Sequence, residues 1–217
     1  MENVFPNTWN RVILYNAEKH RFQQIHFLKK GYDMRVIAGT RRRLQLKTID
    51  SMDTRPTTDR IKETLFNMIQ FDIPGIDFLD LFAGSGGIGI EALSRGARRA
   101  VFVDSNPKAC ACIRDNLEHT RLTDVSEVIQ SDFMSALSRL KNREYHFGIV
   151  FMDPPYNSGM ERKALRLIHD LDCVDTETLF IIEADINDDM SDLPELGYTI
   201  TREKLYKTNK HVFLRKK

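Results

Sequence analysis

From Phe78 onward the chain alternates between two hydrophobic patterns. Short, nearly unbroken apolar runs stand at Phe78–Ala83, Ala100–Asp104, Val125–Gln130, Phe147–Met152 and Leu179–Glu183. Between them, near 87–96, 107–119, 133–141 and 160–171, apolar residues recur every three or four positions. The runs read as strands buried on both faces, and the spaced stretches as amphipathic helices. Regular strand–helix alternation predicts an α/β fold, a mostly parallel sheet with helices on both faces. The tail breaks this rhythm: Tyr198–Tyr206 and His211–Arg215 are strand-like runs joined by Lys207-Thr208-Asn209-Lys210, a closing antiparallel hairpin.

Ahead of the alternating body, Arg35–Ala38 and Leu44–Thr48 flank Gly39, Thr40 and a triple Arg, which predicts a β-hairpin. A helix follows, capped by Thr57 or Thr58, with an apolar stripe of Ile61, Leu65, Phe66, Met68 and Ile69. Pro74-Gly75 ends that segment. Residues 1–33 contain Phe5, Trp9, Phe22 and Phe27, but charges interrupt every candidate apolar stretch, so a signal peptide is not expected. The expected organisation is an N-terminal extension over 1–33, a basic hairpin arm over 34–56 and the main domain over 57–217.

Charge changes this picture more than composition does. The chain has 32 Lys or Arg and 31 Asp or Glu, a formal net charge of +1, and 41% apolar residues. Residues 1–62 carry +7 and residues 63–217 carry −6, so the near-neutral total hides a basic arm and an acidic body. A basic cluster of this kind is a footprint of phosphate contact, although a solvated basic face gives the same count. No apolar run approaches the roughly 18 residues of a membrane helix. Cys110, Cys112 and Cys173 form no CxxC pair, and the six His lack ligand spacing, so neither a disulfide framework nor a metal site is expected.

Asp80-Leu81-Phe82-Ala83-Gly84-Ser85-Gly86-Gly87-Ile88-Gly89 follows the first body strand and opens a helix. Gly84, Gly86 and Gly89 make a G-x-G-x-x-G string, and Asp104 ends the next strand twenty residues after Gly84. Such a loop lets backbone approach a bound nucleoside, and a carboxylate at that interval can take both ribose hydroxyls. The arrangement serves NAD and S-adenosylmethionine (SAM) alike. For SAM, Asp80 supplies a carboxylate on the ammonium side, and Asp132 with Phe133 could receive the adenine; Asp132 could equally be a helix cap.

The fourth body strand ends in Asp153-Pro154-Pro155-Tyr156. Ligands in open α/β sheets bind beyond the carboxyl ends of strands, so this string falls beside the glycine loop. An exocyclic amine on a planar base is a poor nucleophile because its lone pair is delocalised into the ring. The Asp153 carboxylate and the Pro154 carbonyl can accept both of its N–H hydrogens and localise that lone pair. Tyr156 can stack on the base. Glu183 ends the fifth strand and either lines the site or caps it.

Asp153–Tyr156 together with Asp80–Gly89 resembles the amino-group methyltransferases of nucleic acids. More narrowly, residues 34–217 resemble the RsmD family, which methylates the guanine N2 amine of 16S ribosomal RNA. The likeness is carried by Met34–Gly39, by Arg55–Arg60 with Glu63–Asn67, by Asp80–Gly89 with Glu91–Gly96, and by Asp153–Tyr156. It implies a Rossmann-like class I methyltransferase fold, with a seven-stranded, mostly parallel sheet and a C-terminal antiparallel hairpin. It implies SAM as donor, bound by Asp80, Phe82, Gly84, Ser85, Gly86, Asp104, Ser105, Asp132 and Phe133. Catalysis falls to Asp153, Pro154 and Tyr156. Contact with 16S rRNA, in a small subunit or its assembly intermediate, falls to Arg41, Arg42, Arg43, Arg55 and Arg60. The enzyme is expected to be monomeric and cytoplasmic. Adenine-N6 methylation of DNA uses the same tetrapeptide, but only about 46 residues separate Met34 from Asp80, too few for a target-recognition domain. Protein glutamine methylation favours Asn at position 153. An RNA-binding assembly factor with a vestigial cofactor fold is the non-enzymatic alternative.

Overall fold

The computed structural model describes residues 34–49, 59–141 and 143–217. Its elements are β1 (Met34–Arg35), β2 (Gln45–Leu46), α1 (Asp59–Met68), β3 (Asp77–Asp80), α2 (Gly87–Ser94), β4 (Arg99–Asp104), α3 (Pro107–Thr120), β5 (Ser126–Gln130), α4 (Phe133–Leu140), β6 (Phe147–Met152), α5 (Met160–His169), β7 (Leu179–Asp185), β8 (Tyr198–Leu205) and β9 (Asn209–Lys216). Seven strands form one sheet in the order β5-β4-β3-β6-β7-β9-β8. β3 to β7 are mutually parallel, and β9 runs antiparallel to both of its neighbours. This is the sheet of the class I methyltransferase fold that the sequence led us to expect.

Period-two alternation along each strand sends side chains to two separate cores. Phe78, Phe102, Phe151 and Phe213 meet α1, α2 and α3 on one face. Leu79, Val103, Val150, Phe180 and Ile182 meet α4 and α5 on the other. The predicted strands lie where expected, with shifted ends. The first stops at Asp80 rather than Ala83, because the chain leaves the sheet for the glycine loop. The last begins at Asn209 rather than His211, since Asn209 and Lys210 already pair with Asp185 and Ala184.

The basic arm is a hairpin, though its strands are only two residues each. Ile37 and Ala38 do not continue the ladder; their N–H groups donate to the Glu91 carboxylate of α2 at 2.7 and 3.0 Å. At the turn, Gly39 has φ +80°, and a Cβ there would stand 1.8 Å from the Ser94 carbonyl oxygen. Glycine alone meets both demands. The same Glu91 accepts from Arg95 Nε at 2.7 Å and pairs with Lys62 Nζ at 3.5 Å. Lys62 is fully buried, donates to the Arg35 carbonyl at 2.6 Å, and has its pKa lowered by burial against the opposing pull of Glu91. This corrects the charge reading, since Lys62 is an internal cation and not part of a phosphate-facing surface. Arg35 pairs with Asp59 at 2.9 Å and Lys47 with Asp115 at 2.7 Å. The expected cap residues Thr57 and Thr58, Arg55 and the extension 1–33 lie outside the described residues.

Candidate active site

Strand order reverses between β3 and β6: β4 and β5 extend the sheet one way from β3, and β6 and β7 the other. An open sheet leaves its ligand crevice at the carboxyl ends of such a pair. Here those ends carry Asp80 and, just beyond β6, Asp153. The flanking strand β4 ends in Asp104, and β7 holds Glu183 near its end. The topology thus gathers four carboxylates that are distant in sequence along one edge.

The glycine loop is tied to this edge by backbone bonds. Leu81 N–H donates to the Phe151 carbonyl and Ala83 N–H to that of Val103, both at 3.0 Å. Gly86 is the residue before α2, with φ 79°, a left-handed turn that swings the chain from strand to helix. Gly84 N–H donates to Asp104 Oδ2 at 2.9 Å, and Asn106 N–H to Oδ1 at 2.8 Å. Each Asp104 oxygen keeps a second lone pair for a ligand hydroxyl. Ser85 is half-buried in the loop, and Ser105 is exposed beyond β4.

Asp80 is almost inaccessible to water. One of its oxygens accepts from Gly89 N–H at 3.0 Å. Burial raises its pKa to about 7; the Gly89 bond works against this and nearby Asp104 adds to it. Asp132 caps α4 by accepting from Ser135 N–H at 3.0 Å, and that backbone bond lowers its pKa. Of the two roles weighed for Asp132, the cap is the one its contacts display. Phe133 is buried and packs on Phe82 with ring centroids 5.5 Å apart, which joins the glycine loop to the start of α4.

Beyond β6, Pro154 is buried, and Tyr156 is 46% exposed. Among the described residues nothing donates to the Pro154 carbonyl. Burial, then Glu183 and Asp80, push the Asp153 pKa well above the carboxylate range. Tyr156 Oη donates to Glu183 Oε1 at 3.4 Å, and its pKa is raised by burial and by Glu183.

Glu183 itself is 6% exposed. Its Oε1 accepts from Asn209 Nδ2 at 2.7 Å, and its Oε2 lies 3.2 Å from His211 Nε2. His211 is fully buried and meets Tyr206 Oη through Nδ1 at 3.2 Å. This array escaped sequence reasoning, which set the histidines aside and assigned Tyr206 to the hairpin. Only the Glu183–His211 register of β7 on β9 unites them, and no local spacing encodes it.

The base of the arm meets the glycine loop, since Met34 packs on Gly87 and Asn116 Nδ2 donates to the carbonyls of both Lys47 and Ser85, but the arm's turn lies away from this edge. Arg41 is half-buried, donates to the Arg121 carbonyl at 3.4 Å, and among the described residues leaves Nε without a partner. Arg42 and Arg43 are exposed, as is Arg60 on α1. The tip lies beside Ser94 at the C-terminal end of α2. At 1.5 Å per residue that is about 10 Å along α2 from the glycine loop.

Comparison with known proteins agrees with this architecture. Residues 34–215 match the family model described as conserved hypothetical protein 95. The YlbH protein of Bacillus subtilis is 39% identical over 175 residues, 80% of this chain and 94% of that protein. The Escherichia coli protein named ribosomal RNA small subunit methyltransferase D is 34% identical over 79% of this chain and 84% of its own length. The solved structure of the yhhF protein of Escherichia coli superposes with a TM-score of 0.70 at 30% identity, covering 84% of this chain and 97% of that one. A family match that runs from the first strand of the arm into β9, over a sheet of this order, means that the chain belongs to the RsmD family.

Proposed function

We propose that this protein transfers a methyl group from SAM to the exocyclic N2 amine of a guanine in small-subunit (16S) ribosomal RNA. The observation that carries the reading is the juxtaposition of Asp153 and the Pro154 carbonyl with Asp80 at the strand-order reversal. The residues suit this donor. Asp80 is a buried carboxylate with no cation beside it among the described residues, fitting an ammonium group. Asp104 offers spare acceptors for two hydroxyls, and the Gly84–Gly86 turn admits backbone-close ligand. Phe82, Ser85, Ser105, Asp132 and Phe133 would complete the cradle. Bound SAM supplies an electrophilic methyl group on a sulfonium.

The protein's own residues then prepare the nucleophile. Asp153 and the Pro154 carbonyl accept the two amine hydrogens and turn the nitrogen lone pair out of the ring. The Tyr156 ring covers one face of a base that has left its stack at a cost of a few kcal/mol. Holding both reactants in line can supply up to roughly 7–11 kcal/mol of barrier lowering. As the carbon–nitrogen bond forms and the carbon–sulfur bond breaks, the amine becomes acidic. Asp153, its pKa raised by burial and by Glu183, is placed to receive the departing proton. Support for an RNA substrate comes from relatives in Haemophilus influenzae and Escherichia coli named as small-subunit rRNA methyltransferases. In this reading Arg41, Arg42, Arg43, Arg55 and Arg60 contact rRNA phosphates, and a monomer acts on a small subunit or its precursor in the cytoplasm.

The test is incubation of hypomethylated small subunits with tritiated SAM, followed by mapping of the labelled nucleotide. Label is expected at a single guanine N2. Asp153→Ala should lose at least about 100-fold in rate while SAM still binds. Label in DNA but not rRNA, or full activity in Asp153→Ala, overturns the reading.

A further inference from the structure

Glu183 poses a physical problem. A buried carboxylate is costly unless paired, yet no Lys or Arg pairs with it among the described residues. Its partners are Asn209, His211 and Tyr156, which between them take three acceptor positions. A carboxylate has about four, so a position remains on Oε2. The side chain also lines a small cleft with Pro154, Tyr156, Asn157 and Asp185.

The array behind Glu183 fixes its orientation. With the imidazole proton on Nε2, His211 donates to Glu183, and its Nδ1 accepts from Tyr206 Oη. The ring is edge-on to Phe151, Phe213 and Tyr206, which leaves it little freedom to rotate. Asn209 pins the other carboxylate oxygen. β6 and β7 pair Met152 with Ile182, so Asp153 and Glu183 are the next residues on adjacent parallel strands. The crevice therefore presents two neighbouring carboxylates to whatever base enters.

Two adjacent acceptors select among bases by simple chemistry. Guanine offers donors at both N1 and N2. Adenine and cytosine each place a ring acceptor next to their exocyclic amine. We infer that Glu183 is the specificity-determining residue of this site: it accepts guanine N1–H while Asp153 and the Pro154 carbonyl accept the N2 hydrogens. This rests on the function proposed above. A ring nitrogen acceptor facing Glu183 would leave two lone pairs opposed in a buried site, a mismatch that sites built for a donor reject strongly.

Small subunits reconstituted around 16S rRNA separate the possibilities, with guanine or 2-aminopurine at the mapped nucleotide of that RNA. 2-Aminopurine keeps the N2 amine but has an acceptor at N1. The wild-type protein is expected to favour guanine by about 100-fold or more in kcat/KM. Glu183→Gln, which can donate to that acceptor, should cut the preference to below about 10-fold while SAM affinity is unchanged. Should Glu183→Gln not fold, Asn209→Ala loosens the carboxylate and should narrow the same ratio. Equal rates on both RNAs in the wild type, or an unchanged ratio in the variants, overturn the role of Glu183 and leave guanine methylation standing. No methylation of the guanine RNA by wild-type protein overturns the function itself.

Discussion

Asp80 is a carboxylic acid with almost no access to water, and burial lifts its pKa to about 7. Between the ordinary value near 3.8 and about 7, the folded protein holds a proton that the unfolded chain has released. Asp80 therefore lowers stability progressively as pH rises across that window, and its effect is constant above it. Asp80→Asn keeps an acceptor for Gly89 and cannot ionise. Urea unfolding should find variant and wild type alike near pH 4 and the variant more stable at pH 8, by up to about 4 kcal/mol. Parallel stability curves would show that burial does not control this group. A ligand ammonium reverses the balance, because it favours the carboxylate. SAM affinity of the wild type should accordingly rise through pH 7 with release of a proton, and titration calorimetry in buffers of different ionisation enthalpy reads that proton directly. The Asp80→Asn variant should bind more weakly and without the pH dependence.

The arm shows how an element can be held by another element's side chains. Its ladder is minimal, and its position depends on Glu91, Ser94 and the close approach at Gly39. Gly39→Ala introduces a Cβ into the Ser94 carbonyl and strains a left-handed backbone, a cost of about 1–3 kcal/mol that falls on docking rather than on the sheet. Hydrogen exchange should speed up at Ile37 and Ala38 in this variant, while amides of β3 and β6 stay protected. The elements differ in how plainly the sequence announced them. Strands β4 and β6 are buried on both faces, so their apolar runs have nearly the observed bounds. β1 and β2 are shorter than their sequence pattern predicts because Ile37 and Ala38 bond to a carboxylate more than fifty positions away and Lys47 N–H bonds to Asn116. Lys62 looked like surface charge for a similar reason: its helical position gives no sign that Glu91 waits beneath it. At the site, Asp104 and Asp153 were legible because each closes an apolar run, and Asp80 because it heads the glycine string. The support of Glu183 by Asn209 and His211 was not, since it exists only in the register of two antiparallel strands.

Over the whole molecule, the separation of charge has a geometric meaning. The acidic edge holds the proposed chemistry, and the exposed Arg42 and Arg43 lie at the far end of α2. RNA that reaches both must span the intervening surface, so binding and base selection should separate experimentally. Replacing Arg41, Arg42 and Arg43 by Gln is expected to reduce the slope of log affinity against log salt by about 2–3, leaving SAM binding and the methylated nucleotide unchanged. Filter binding at several salt concentrations measures the slope, and an unaltered slope would place the phosphate contacts elsewhere. A last consequence follows from the strand order, in which β9 lies between β7 and β8. β8 joins the sheet only through β9, the same strand that carries Asn209 and His211 to Glu183. Among the described strands the glycine loop is tied to β4 and β6 alone, so a variant that loosens β9 against β7 should disturb Glu183 and leave the loop in place.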